Sequence, residues 1–293
     1  MINSVKPNLI VSDSRGAWFR ATILFILALI GTVGMWSVVV FIPDIEKEFG
    51  LDRGTSSLLY AFTMIGFGFG TVVIGKVYDK FGIKKPILLA TFVLITSYYF
   101  YSIFPFYWQF LILQFFMGFA ASAFFGPAMA DISNFFNKQR GFALSIVASA
   151  NYVAGATWPL LIGYFLTFID WRAAHFWISI CLFIMIPLIL LLKNASVDES
   201  KSHDMKQRYK DIRLDLSNNQ IQVLLMLAGI CCCVAMAMPQ VHMVALCVDN
   251  GFGLQVGTEI LAVMLYSGMI SRIVFGMISD RIGPVLTLSL IHI

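Results

Sequence analysis

Eight long apolar stretches dominate this chain of 293 residues and are separated by short polar segments. They cover residues 21–42, 55–74, 86–104, 107–132, 141–169, 174–192, 220–248 and 253–278, and a ninth begins at residue 284. A helix rises about 1.5 Å per residue, so about 20 apolar residues cross the hydrocarbon core of a bilayer. Strands of a membrane barrel are about ten residues long and alternate in polarity, unlike these stretches. The pattern therefore predicts an all-α membrane protein.

The composition excludes the main soluble classes. Hydrophobic residues make up 59% of the chain, charged residues 12%, and the mean hydropathy is +0.83. A water-soluble domain cannot bury that much apolar surface, and disordered chains have the opposite bias. The five cysteines, three of them consecutive at 231–233, lack the spacing of a zinc site or a disulfide framework. We predict no metal, no cofactor and no catalytic residue.

Basic residues are distributed unevenly among the predicted loops. With the N-terminus in the cytoplasm, sixteen Lys and Arg residues fall on the inner side and only Lys47, Arg53 and Arg172 on the outer side. Cytoplasmic loops of membrane proteins carry such an excess. We therefore expect a multi-pass protein of the cell inner (cytoplasmic) membrane with a cytoplasmic N-terminus. Its partner is the lipid bilayer, whose anionic lipids explain the basic loops, and nucleic acid is not an expected partner.

One polar segment divides the chain. Residues 194–219 are rich in Lys, Asp, Ser and Asn and follow the sixth apolar stretch. We predict an N-terminal six-helix bundle at 1–193, a cytoplasmic linker at 194–219 and a partial second bundle at 220–293. The last six residues, 288–293, match the in-frame translation of a common transposon-end sequencing adapter. We therefore expect a sequencing artefact there, in a chain that is truncated at its C-terminus.

A short motif recurs after the second and the eighth apolar stretches. Both copies read G-x-x-x-D-[K/R]-x-G, and they lie 201 residues apart in loops on the same predicted side. The first copy comprises Gly75, Asp79, Lys80 and Gly82 with Lys84 after it, and the second comprises Gly276, Asp280, Arg281 and Gly283. The same signature after the second helix of each half indicates an internal duplication with parallel repeats.

Through this doubled motif the chain resembles the major facilitator superfamily, whose members place twelve helices in two six-helix bundles. The resemblance implies the major facilitator fold, here the N-terminal six-helix bundle plus the first two to three helices of the second bundle. It also implies transport by alternating access, in which Asp79, and less directly Asp280, holds the outward-facing state. A carboxylate at a helix end can cap a neighbouring helix or pair with cations. The alternative is that the motif only fixes the topology and a short loop.

A second resemblance points to one branch of this superfamily. Residues 135–144, the helix after them and residues 170–172 are similar to the fourth-to-sixth helix region of monocarboxylate and oxalate:formate exchange transporters. That branch keeps a carboxylate-binding Arg at the position of Arg272. Its proton-coupled members carry a Lys in the first helix and an Asp one turn before this Arg, where this chain has Trp36 and Gly268. Proton symport by that mechanism is therefore not expected, and exchange or another coupling ion stays open.

Arg272 is the basic residue that lies well inside a predicted span. A charge at that depth costs at least about 2.5–3.5 kcal/mol on insertion scales, so it should face a wet cavity or a partner. Its planar guanidinium suits bidentate binding of a carboxylate. We predict that Arg272 binds an anionic substrate. The alternative is that it extends to the membrane surface or pairs with Asp280.

Five further polar residues inside predicted spans are candidates for a substrate cavity. They are Asn151 and Tyr152 in the fifth span, Gln240 and His242 in the seventh and Tyr266 in the eighth. Each could line a substrate cavity, and His242 could titrate near neutral pH. The alternative for each residue is a hydrogen bond between helices.

These features predict a secondary active transporter of small organic anions, either mono- or dicarboxylates. The expected partners are this substrate and a coupling ion or counter-substrate. The alternatives are a superfamily transporter of a drug or sugar, for which Arg272 would be structural, and a sensor or membrane enzyme built on the transporter fold. A nucleophile–base constellation is lacking, and fold alone does not determine function.

Overall fold

The computed structural model describes residues 13–192, 217–283 and 286–287. These residues form helices joined by short turns and contain no strand. The helices are α1 Arg15–Gly31, α2 Val33–Phe49, α3 Arg53–Phe81, α4 Lys84–Ile103, α5 Tyr107–Ala121, α6 Gly126–Ser133, α7 Arg140–Phe165, α8 Trp171–Cys181, α9 Met185–Leu191, α10 Asn218–Asp249 and α11 Gly253–Ile282.

Seven helical segments are long and apolar enough to cross a membrane. Three of them combine two helices: α1 with α2, α5 with α6, and α8 with α9. The others are α3, α4, α7 and α11. The predicted stretch 220–248 lies in α10, which is one helix of 32 residues. The prediction of an all-α membrane protein is confirmed, whereas the linker at 194–219 and the ninth stretch lie almost wholly outside the described residues.

Local sequence determines where several of these helices end. The second glycine of each motif copy, Gly82 or Gly283, follows the last residue of α3 or α11 with φ of 71° or 89°. Residues with a side chain rarely adopt such a positive φ, so this glycine is required by the turn. At the start of α3, the Asp52 carboxylate accepts a hydrogen bond from the Thr55 amide at 3.2 Å. Hydrogen bonds from Thr55 lower the pKa of Asp52 from its ordinary value.

The pair α3 and α5 packs with the two backbones in contact. A methyl carbon on Gly66 would overlap the Phe115 carbonyl, and one on Gly118 would overlap the Thr63 carbonyl. Small residues allow this approach where lipid supplies no hydrophobic drive for helix association. Beside this contact, the Gln114 side chain accepts a hydrogen bond from the Thr63 hydroxyl at 2.8 Å.

The helices α7 and α11 run antiparallel and pack along most of their length. At one end of the pair, a methyl carbon on Gly163 would lie 3.3 Å from the Thr258 side chain. Towards the other end, one on Gly276 would lie 2.6 Å from the Ser145 Cβ. This seam joins the predicted first and second halves, because α7 precedes the linker and α11 follows it.

An interface glycine and an exposed glycine in α3 allow a matched test of the packing. The change Gly66→Val forces a side chain against the α5 backbone, and we expect it to destabilise the protein by about 1–3 kcal/mol or more. Gly68 has no atom within 4 Å of the position that its Cβ would take, so Gly68→Val is the control. Thermal unfolding of the purified protein in detergent measures both. Equal losses in the two variants would refute the close contact between α3 and α5.

Candidate functional site

The two ends of the helical bundle carry different polar contacts. The two motif copies, which the sequence predicted in loops, form the last two turns of α3 and α11 and end in the glycines directly after them. This end of the bundle is called the motif face below. Glu46, Arg53 and Asp249 lie at the other end, called the opposite face. The antiparallel pair of α7 and α11 runs between the two faces, and Arg272 lies within this pair.

Arg272 is held by two residues of α7. Its Nη1 donates a hydrogen bond to the Ala148 carbonyl at 3.0 Å, and its guanidinium carbon lies 4.1 Å from the centre of the Tyr152 ring. It precedes Asp280 by eight residues, which places it about 12 Å deeper along α11. Asp280 binds elsewhere, and within the described ranges 13–192 and 217–283 the ion pairs of the protein involve other residues.

These contacts leave part of the guanidinium unused. The group carries five N–H donors in one plane, of which one binds Ala148 while the ring of Tyr152 covers one face. The side chain is half-buried. A carboxylate that approaches in the plane of the guanidinium could therefore accept two parallel hydrogen bonds.

The glycine at position 268 shapes this arrangement. A methyl carbon there would lie 2.6 Å from Cε1 of Tyr152. An acidic side chain at position 268 would therefore require the Tyr152 ring to move. The Tyr152 ring thus takes up the space that a carboxylate side chain at position 268 would need.

Three other predicted residues make contacts between helices. The Asn151 Oδ1 accepts a hydrogen bond from the Trp36 Nε1 at 2.9 Å, and the Trp36 side chain is buried. The Tyr152 hydroxyl donates to the Met236 sulfur at 3.3 Å. The hydroxyls of Tyr266 and Thr157 lie 3.0 Å apart. These bonds connect α7 with α2, α10 and α11.

The remaining two predicted cavity residues lie on α10. Gln240 is half-buried and His242 is exposed. The contacts of Arg272 within the described residues are made with α7. The structure therefore brings Tyr152 to Arg272, while it places Gln240 and His242 on a different helix.

The motif face is bridged by Asp280. Its Oδ1 accepts a hydrogen bond from the Gly141 amide and its Oδ2 one from the Phe142 amide, both at 2.8 Å. These amides belong to the first turn of α7, where orphan N–H groups and the helix dipole favour a carboxylate. Asp280 thus connects the second half of the chain to the first.

The first motif copy is arranged differently from the second. The side chain of Asp79 is exposed, as are those of Lys80 and Arg281. The Lys80 ammonium lies 5.3 Å from the centre of the Phe81 ring. Lys84 is half-buried, and Gly75 has no atom within 4 Å of its would-be Cβ.

The opposite face holds an ion pair that the sequence analysis did not identify. The Arg53 Nη2 lies 2.8 Å from the Asp249 Oδ1, which joins the start of α3 to the end of α10. The Arg53 Nε also lies 2.8 Å from the Glu46 Oε1. Arg53 counted only as an outer charge in the sequence, since no local pattern connects residues 196 positions apart.

Comparisons with known proteins agree with this architecture. Residues 24–293 match the Major Facilitator Superfamily. The MFS-type transporter pynF of Aspergillus niger is 27% identical over 75% of this chain and 50% of its own length. The agnestins efflux protein of Paecilomyces divaricatus is 24% identical over 83% of the chain and 56% of its length. The inner membrane transport protein YnfM of Escherichia coli is 23% identical over 58% of the chain and 41% of its length.

The chain spans about half the length of the relatives named here. The names of these relatives describe transporters and an efflux protein. The seven apolar helical segments make it a multi-pass membrane protein. The chain belongs to the major facilitator superfamily.

Proposed function

We propose that this protein is a secondary active transporter that moves small organic anions, mono- or dicarboxylates, across the cytoplasmic membrane. The observation that carries the proposal is the half-buried Arg272 within a membrane-spanning helix, held by a carbonyl and an aromatic ring. The bound anion would supply the negative charge that these two neighbours lack.

The contacts of Arg272 support binding over a purely structural role. A guanidinium inside a membrane is costly and is tolerated where it faces water or a partner. A carbonyl dipole and the face of a phenol ring stabilise the cation, but neither neutralises it. Among the groups that could neutralise it, a substrate carboxylate fits the planar fork of donors.

Alternating access would rest on contacts at both faces. Asp280 joins the two halves at the motif face, and the Arg53–Asp249 pair joins them at the opposite face. The N-terminus and the motif face are cytoplasmic in this proposal. The Asp280 contact then closes the inner side in the outward-facing state, and Asp79 plays the equivalent part in the first half.

The remaining predictions of the sequence belong to the same proposal. Asn151, Tyr152, Gln240, His242 and Tyr266 line the route of the substrate between the halves 1–193 and 220–293, which residues 194–219 connect. Position 268 is a glycine and offers no acid that could carry a proton. Transport is therefore coupled either to the exchange of anions or to another ion.

A second candidate function is efflux of a larger organic compound. One relative carries the name agnestins efflux protein, and it matches 83% of this chain. In that case Arg272 would hold an acidic group of the exported compound or would fix α11 to α7. Direction and substrate size distinguish this candidate from anion uptake or exchange.

Replacement of Arg272 tests the anion site. We expect Arg272→Ala to lower kcat/KM for lactate, pyruvate or oxalate by about 10- to 100-fold, since hydrogen bonds to a charged group contribute about 1.5–3 kcal/mol. Arg272→Lys keeps the charge without the planar fork and should recover only part of this loss. Both effects are measured as uptake of the radiolabelled anions into proteoliposomes. The reconstituted protein is the one that the native locus encodes.

Two outcomes would contradict the anion site. Full uptake by a folded Arg272→Ala variant would show that Arg272 is structural. Absence of uptake or exchange of every anion by the folded native protein would favour efflux of another class of compound.

The ion pair at the opposite face gives a separate prediction. Asp249→Asn removes the partner of Arg53 in the second half, while Glu46 remains beside it. Because exposed pairs contribute only about 0.2–1 kcal/mol, we expect a change of at most about fivefold in the accessibility of the opposite face. The measurement is maleimide labelling of a Cys placed at Thr258, in a background without native cysteines. Salt screens exposed charges and weakens the Arg53–Asp249 pair. High salt should therefore raise labelling of the Cys at 258 when Asp249 is present, and should leave it unchanged in Asp249→Asn. Equal salt dependence in both would refute the role of the pair.

A further inference from the structure

Asp13, two residues before the start of α1 at Arg15, holds the loop that precedes α7. The Asp13 carboxylate lies 3.3–3.5 Å from the backbone nitrogens of residues 137, 138 and 139, all of which donate to it. The Asp13 amide donates in turn to the Phe135 carbonyl at 3.0 Å. Asp13 thus binds four of the six residues that connect α6 and α7, three through its side chain and one through its backbone amide.

The backbone of Asp13 adopts an uncommon conformation to make these contacts. Its φ of 56° lies in the left-handed region, where the other described residues with positive φ are glycines. Residues other than glycine enter this region at a cost and remain there when surrounding contacts hold them. Ser14, directly after it, caps α1 by accepting a hydrogen bond from the Ala17 amide at 3.3 Å.

Two further contacts attach α1 to the same part of the chain. The buried Arg20 guanidinium binds both carboxylate oxygens of Asp131, in α6, at 2.5 and 2.9 Å. The Trp18 ring lies 4.8 Å from the ring of Phe136 and 5.8 Å from that of Phe142. The segment 13–20 therefore contacts the end of α6, the connection and the first turn of α7.

Backbone amides at and just before the amino end of α7 consequently donate hydrogen bonds to two carboxylates. Asp13 binds the amides of 137–139 and comes from the same half of the chain. Asp280 binds the amides of Gly141 and Phe142 and comes from the other half. The first contact lies within the first half of the chain, while the second joins the two halves.

We infer that Asp13 is a positioning residue for the contact of Asp280 at the motif face. By fixing the connection at 137–139, it holds the two amides that follow in the orientation that Asp280 requires. The inference rests on the proposed alternating access, because the Asp280 contact matters for transport only if it opens and closes.

Repulsion between the two carboxylates would act in the opposite direction. Removal of the Asp13 charge would then strengthen the Asp280 contact. Solvent screens this repulsion, because Asp280 and residues 137–139 are exposed. The loss of three hydrogen bonds to the connection is local and is not screened in this way. The positioning effect therefore dominates, and the sign of the response to Asp13→Asn decides between the two.

A cysteine at Ser145 reports opening of the motif face. Ser145 packs against Gly276 in the seam between the halves, and the five native cysteines are replaced by alanine. The probe is a membrane-impermeant maleimide applied to vesicles sealed with the motif face outward. Asn adopts positive φ readily and keeps one acceptor, so Asp13→Asn removes the charge and two-point binding without forcing the backbone to change. We expect both Asp13→Asn and Asp280→Asn to increase the rate at which the Cys at 145 is labelled several-fold.

The double variant tests whether Asp13 acts through Asp280. If it does, Asp13→Asn combined with Asp280→Asn labels no faster than Asp280→Asn alone. Ser14→Ala is the matched control, since it weakens the cap of α1 and leaves the contacts of Asp13 in place. Asp13→Glu, which keeps the charge and displaces the carboxylate, should also raise labelling and replaces Asp13→Asn if that variant does not fold.

The assay needs no substrate, so it separates this inference from the identity of the transported compound. Labelling that falls or stays unchanged in Asp13→Asn, while Asp280→Asn raises it, overturns the role of Asp13 alone. An additive increase in the double variant, or an equal increase in Ser14→Ala, overturns it as well. Unchanged labelling in Asp280→Asn overturns the motif-face contact and the inference with it.

Discussion

The antiparallel seam between α7 and α11 determines where both of the notable side chains of the second half are placed. Glycines on both helices bring the two backbones close at Gly141 and Gly276, and Gly268 leaves room for the Tyr152 ring. This register leaves Asp280 at the first turn of α7 and Arg272 beside Ala148, deeper along the same pair. A rigid movement of α11 relative to α7 would change both contacts together. The seam therefore connects the candidate anion site to the motif face without any intermediate chain of residues.

The contacts that join the halves are of a kind that can be exchanged. Asp280 accepts from backbone amides that water can also satisfy, and Arg53 lies between a partner in its own half and one in the other. By contrast, the Arg20–Asp131 pair is buried within the first half. Breaking a buried pair leaves an uncompensated charge, whereas opening an exposed contact costs little. This distribution of charges fits the proposed movement of the two halves relative to each other.

Sequence alone predicted the features that depend on local pattern. The spans follow from apolar stretches, because a helix in lipid must satisfy its backbone internally and so needs little tertiary information. The motif glycines Gly82 and Gly283 follow from the turn that ends each helix. The depth of Arg272 also follows from its position in a stretch. All three are statements about a residue and its near neighbours.

The pairings between distant residues could not be predicted in this way. Nothing in the sequence connects Arg53 to Asp249 or Asp13 to the connection before α7, since each joins segments more than 120 residues apart. The sequence left open a hydrogen bond between helices for Asn151, but it did not identify the buried Trp36 as the donor. Such contacts depend on the register in which the helices pack. Small residues allow the helices to approach closely, but they do not show in the sequence which residues of two helices will meet.

The ring of Tyr152 gives the clearest physical reason to favour an anionic substrate. A charged residue in a membrane helix is usually matched by an opposite charge, which a ligand would first have to displace. In the described part of this site, Arg272 is matched by a ring face and a carbonyl, and Gly268 leaves the space that the ring requires. These groups orient the guanidinium and lower the cost of burying it, while its net charge stays uncompensated. An arriving carboxylate would gain the whole ion-pair interaction without replacing a resident acid, and this is the physical basis for the proposal of an anionic substrate.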